Sequence, residues 1–192
     1  MQIRLWLLLA VVAGLVGCGS VSGLKREPGA TTRIADYHRV EVLDFTASGG
    51  EKFPDAAKQA EYDASLAAAR CKFADKIAEA ITATGSFDEV SRQPLASGAL
   101  RISGDITRYD EGNIVERGLT GFAGETHFEA VVIATDAATG RQIATLNVDR
   151  NSWPLPIGAS ASTLQTTNFF MEGAAKKVAA ELLAARPREG GK

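Results

Sequence analysis

The sequence is poor in the residues that carry out chemistry. It holds two cysteines, two histidines and two tryptophans in 192 residues. His38 and His127 stand far apart and without partners at ligand spacing, so neither zinc binding nor histidine-based acid–base catalysis is indicated. No serine occupies a Gly-x-Ser-x-Gly frame, and no nucleophile has a base beside it, which makes an enzyme the weakest of the functional classes. Basic runs are missing too. Twenty-one Lys and Arg against 23 Asp and Glu give a net charge of -2, and no aromatic-interleaved Lys/Arg patch exists, so nucleic acid is excluded as a partner. No metal or cofactor is expected.

Long apolar runs are also absent, with one exception at the start. Residues 5–16 are apolar apart from Gly14 and follow a single positive charge at Arg4. A dozen residues rise about 18 Å as a helix, short of the roughly 30 Å hydrocarbon core, so the run reads as a cleaved signal peptide. It ends in Leu15-Val16-Gly17-Cys18, the apolar–small–small–cysteine order of a bacterial lipobox. In that reading residues 1–17 are removed and the thiolate of Cys18 takes up a diacylglyceryl group. Several acyl chains then make a stable membrane anchor, at roughly 0.8 kcal/mol per buried methylene. The residue after the cysteine is Gly19 rather than Asp, which by the lipoprotein sorting rule directs the protein to the outer membrane, facing the periplasm. The only remaining thiol is Cys71, so no intrachain disulfide can form.

Residues 18–36 carry Gly, Ser, Thr, a Lys25-Arg26-Glu27 cluster and Pro28-Gly29 without periodicity, and read as a flexible tether. A single domain is expected over 37–186, with a disordered tail over 187–192. Its predicted elements are a strand at 39–45, a helix from 55 or 59 to 84 with Gly85 as its stop, and a short strand at 87–91. Strands at 99–109, 126–135 and 141–150 follow, then a helix over 162–186. Asp136-Ala137-Ala138-Thr139-Gly140 is read as a hairpin loop in which Gly140 takes positive φ. The order β-α-β-β-β-β-α defines an α+β fold, a mostly antiparallel sheet with two Ala-rich helices on one face.

In the first helix Tyr62, Leu66, Phe73, Ile77 and Ile81 form a bulky stripe that suits a sheet. Ala64, Ala67, Ala68, Cys71, Ala74 and Ala78 form a small one, suited to another helix or subunit. In the third strand Leu100, Ile102 and Ile106 face the core, while Arg101, Ser103, Asp105, Thr107 and Tyr109 face water or a partner. These two surfaces are the candidate contacts, and using both makes a homo-oligomer.

Several motifs have bland readings beside functional ones. Gly118, Gly121 and Gly124 lack the following helix that a phosphate loop needs, which leaves structural glycines or a contact loop. Asp110, Glu111 and Asn113 lack EF-hand spacing and read as a solvated turn. Cys71, between Arg70 and Lys72, is either a reactive thiol or a packed small hydrophobe. Arg117 and Trp153 are the candidate contact residues of the alternative function, a module binding a small molecule or glycan.

The lipobox, Val40 to Phe45, Gly104-Asp105-Ile106-Thr107, Gly112-Asn113, Arg117 to Gly124 and Val131 to Gly140 together resemble small bacterial lipoproteins grouped as domain of unknown function 4410. That resemblance implies a fold and a location but no activity. The topology behind a lipid anchor also resembles the export lipoproteins of curli and of Pel polysaccharide, some of which form rings, and the amino-terminal domain of the Tol translocation protein. The function expected is an accessory or assembly component of an envelope or export process, working through protein–protein contacts.

Overall fold

A computed structural model of the chain describes residues 19–95, 98–112, 126–151 and 166–186. Its strands are β1 (Gly19–Val21), β2 (Lys25–Arg26), β3 (Arg39–Val42), β4 (Thr46–Ala47), β5 (Glu89–Ser91), β6 (Ala99–Asp110), β7 (His127–Asp136) and β8 (Gln142–Asn151). Two helices accompany them, α1 (Ala56–Ala83) and α2 (Thr167–Ala184). The strands form one sheet in the order β1-β8-β7-β6-β3-β5, with β2 continuing the β1 side along β8 and β4 lying on β6. Pairing is antiparallel from β1 through β8 and β7 to β6, and parallel among β6, β3, β4 and β5. The parallel part follows from the β3-α1-β5 crossover, because parallel neighbours need a connection long enough to return across the sheet. The fold is therefore α+β with a mixed, mostly antiparallel sheet.

Helix α1 begins where Asp55 caps it, its carboxylate accepting the Lys58 N–H at 2.9 Å, which satisfies one of the otherwise orphaned first-turn donors. Phe73 and Ile77 on α1 are fully buried and Ile81 nearly so. Phe73 sits between Phe45 and Phe128 with both ring centroids 4.9 Å away, which joins helix to sheet through tilted aromatic pairs. The sheet adds Leu100, Ile102, Ile106, Val132, Leu146 and Val148, and α2 adds Phe170, Ala174, Val178 and Leu182. Tyr62 and Leu66 pack only at the margin of this core. The expected hairpin joins β7 to β8: Asp136 O accepts the Gly140 N–H at 2.8 Å and Gly140 has a φ of 69°. The Tyr37 hydroxyl donates to Asp136 Oδ2 at 2.6 Å and ties a 3-10 turn (Ile34–Asp36) to that hairpin.

The fold departs from the sequence pattern at the amino-terminal segment and at Tyr109. The sequence gives no sign of structure from Gly19 to Arg26, yet β1 and β2 both pair with β8, Gly19 opposite Arg150 and Lys25 opposite Thr145, so this part is not a tether. Val21 and Leu24 pack on the core, and the Leu24 N–H reaches Glu181 Oε2 on α2 at 3.2 Å. Strands of two or three residues leave no periodicity to read. Strand alternation predicts Tyr109 on the polar face, but it is 4 % exposed. A register shift against β7 falls between Ile106 and Arg108, so Thr107 is an extra residue, and every side chain beyond a bulge changes face. Tyr109 thereby turns inward, where burial, and then its hydrogen bond to Glu111, push its hydroxyl up to about 12.

Candidate contact surfaces

Both helices cover one face of the sheet, and among the described residues no element packs on the other face. Before the bulge it presents Arg101, Ser103 and Asp105 from β6. From β7 come His127, Glu129, Val131, Ile133 and Thr135, all half-buried, and from β8 Thr145, Asn147 and Asp149. The expected polar face thus exists over residues 101–105, with two β-branched side chains at its centre. At the β3 side it is closed by Glu41, which is fully buried beneath the Leu95 backbone and paired with Arg101.

The second expected surface, the small face of α1, divides in two. Ala74 and Ala78 are buried, whereas Ala64, Ala67, Ala68 and Cys71 are exposed. Helix α2 packs on the other flank of α1. A groove of about 550 Å³ runs between them, lined by Lys76, Glu79, Ala80 and Ala83 of α1 and by Glu172, Lys176, Ala179, Ala180 and Leu183 of α2. The exposed Ala/Cys stripe therefore is not the helix–helix seam.

Cys71 is neither packed nor activated. Its thiol donates to Asp44 Oδ2 at 3.2 Å, and that hydrogen bond, then burial and the Asp44 charge, raise the thiol above its ordinary value. Asp44 is itself held low by hydrogen bonds from Arg92 and Cys71. Arg92 also reaches Asp75 on α1 at 2.7 Å and the Val42 carbonyl, fastening helix to sheet beside the cysteine. The clamp is not legible in the sequence because its members come from β3, α1 and the connections that follow β3 and β5. In a Cys18→Ala background, where Cys71 is the only thiol, Asp44→Asn should speed alkylation by iodoacetamide at pH 8 severalfold, since a thiolate forms more readily without the carboxylate. An unchanged rate would show that Asp44 does not restrain the thiol.

The remaining sequence candidates are placed by their flanks. Cys18, Arg117 and Trp153 lie outside the described residues, as do Asn113, Gly118, Gly121 and Gly124. Yet the described chain stops and restarts along one end of the sheet. Asp110 pairs with His127, His127 with Asn151, and the adjoining Arg150 with Gly19. The segments carrying Cys18, Arg117 and Trp153 all leave from that end. The Asp110-Glu111 turn uses its carboxylates internally: Asp110 Oδ1 accepts the Gly112 N–H at 2.8 Å, and Glu111 Oε1 accepts from Ser65 and Tyr109 at 2.7 and 2.6 Å. His38 is exposed, 3.9 Å from Asp88.

A two-helix layer on one face of a mixed, mostly antiparallel sheet, with β1 on its antiparallel edge, defines a small α+β domain. The chain belongs to the family described as Domain of unknown function (DUF4410), whose model matches residues 40–156. No curated protein matches it in sequence. Among solved structures it is similar to a dodecamer of a PelC point variant from Paraburkholderia phytofirmans, at 16 % identity and a TM-score of 0.52 over 89 % of this chain and 100 % of that one. It is also similar to protein XCC0632 from Xanthomonas campestris, family model DUF330, at 13 % identity and a TM-score of 0.45 over 84 % and 91 %. At 16 % identity the likeness to the PelC variant shows the fold alone.

Proposed function

We propose that the protein is an outer-membrane lipoprotein facing the periplasm, anchored through acyl chains on Cys18. It serves an envelope or export process by self-assembly and protein contact rather than by catalysis. The observation that carries this reading is the pairing of Gly19 with Arg150. Strand β1 starts one residue after the lipobox cysteine, and one extended residue spans about 3.3 Å. The anchor would then issue directly from the sheet, and the end marked by Asp110, His127 and Asn151 would be held against the lipid surface. Such a domain has a fixed orientation, which a ring or patch of copies requires. The fold likeness to a protein whose structure is a dodecamer supports assembly, as do the sheet face on which no described element packs and the exposed Ala/Cys stripe. No helix among the described residues is long and apolar enough to cross a membrane.

Cys18→Ala is expected to move the protein from the membrane fraction to the soluble fraction and to abolish incorporation of labelled palmitate, with an unchanged circular dichroism spectrum. Retention of the folded variant in the membrane fraction would refute lipid anchoring at Cys18.

A further inference from the structure

The open face of the sheet brings together three metal-ligating side chains that the sequence keeps apart. His127 and Glu129 stand two residues apart on β7, and Asp149 on β8 is directly opposite Glu129. Each offers one donor atom, and the three atoms lie within 4.8 Å of one another. We propose that His127, Glu129 and Asp149 form a binding site for a divalent transition-metal ion of the zinc class.

The local electrostatics call for a cation. Two carboxylates directly opposite each other on neighbouring strands are destabilising without a counter-charge. Arg108 answers Glu129 only at 3.8 Å, from a half-exposed position, and Asp149 has no ion-pair partner among the described residues. Arg108 approaches Glu129 on the Oε1 side, and a carboxylate carries a second oxygen able to take a metal. The imidazole decides the class of ion. Calcium and magnesium take all-oxygen sets, whereas one nitrogen and two carboxylates suit zinc and its neighbours. Three protein ligands on an open sheet face leave a fourth position for water or for a partner's side chain.

The geometry needs only side-chain movement. In a tetrahedral site with bonds near 2.0–2.1 Å, donors stand about 3.3 Å apart. Closing the present separation takes roughly 1.5 Å, within the reach of χ rotation on partly exposed side chains. The backbone positions are already set by the β7–β8 ladder. Because the site lies at the same end of the sheet as Gly19, a bound ion would sit on the surface nearest the proposed anchor, but its formation does not depend on anchoring or assembly.

The test is calorimetric titration of the full-length protein in detergent, stripped by chelator, with Zn²⁺ alone and in parallel with Ca²⁺ alone. The expected result is saturable uptake of one Zn²⁺ per chain and none of Ca²⁺. His127→Ala should weaken Zn²⁺ binding by on the order of tenfold or more, with Glu129→Gln and Asp149→Asn acting in the same direction. Cys71→Ser should leave it unchanged. Metal-free melting of the three ligand variants at or above the wild-type temperature shows that they are folded, Glu129→Gln and Asp149→Asn being expected above it because each relieves the opposed carboxylates. Unsaturable Zn²⁺ uptake, uptake unaffected by His127→Ala, or uptake lost only in Cys71→Ser would each overturn the site.

Discussion

Gly104→Ala should cost the domain about 3 kcal/mol or more, at the upper end of what a single added methyl does to a packed core. Gly104 sits in β6 between Ile102 and Ile106, opposite Val132. A Cβ there would stand 2.0 Å from the Val131 carbonyl oxygen and 2.6 Å from Cε1 of Phe45. The ring could shift, but the carbonyl belongs to the β6–β7 ladder and cannot. Phe45 is also the first member of the Phe45–Phe73–Phe128 chain that joins sheet to α1, so displacing it would loosen the helix as well. Urea denaturation should show a large fall in midpoint with little change in slope. Phe45→Leu in the Gly104→Ala background should restore only part of the loss, because the clash with the carbonyl remains. A midpoint equal to wild type would show that β6 and β7 are not as closely spaced as described.

The second large effect concerns Glu41 and Arg101. Glu41 is 0 % exposed, and its carboxylate accepts one bond from Arg101 Nε and another from the Leu95 N–H. Arg101 retains 31 % of its side-chain surface. The two partners are therefore unequal. Arg101→Met strands a buried carboxylate on a single N–H, and breaking such a pair costs about 3–5 kcal/mol. Glu41→Leu leaves a guanidinium that already reaches water and should cost less. The double variant, with both charges replaced by apolar groups, should recover most of the loss. Thermal or chemical denaturation of the three proteins checks the order. Arg101→Met within about 0.5 kcal/mol of wild type would contradict it.

What could be read from the sequence was what repeats or punctuates. Asp55 and Gly85 bracket α1 almost to the residue, the alternation in β6 to β8 gives strands ending within a residue or two of those observed, and Gly140 marks the hairpin. Pairing partners were not legible. Strands β1 and β2 are too short to show a period and owe their place to the edge of β8. The parallel neighbours of β3 follow from a crossover, not from composition. Tyr109 was misassigned because a bulge at Thr107 is a property of the register with β7, invisible in β6 alone. The same limit hid the sites: His127 looks isolated along the chain and gains Glu129 and Asp149 only when β7 and β8 are aligned. Likewise Arg92 joins Asp44 and Asp75 only once α1 lies on the sheet. The small face of α1 was legible as a pattern, but its use was not, since α2 took the opposite flank.

The proposal that this is a membrane-held, self-assembling contact domain is tested most directly by the mass of the detergent-extracted, full-length protein in analytical ultracentrifugation, across a range of concentrations. One discrete species several times heavier than a single lipidated chain, stable to dilution, is expected. A single-chain mass at every concentration would contradict it.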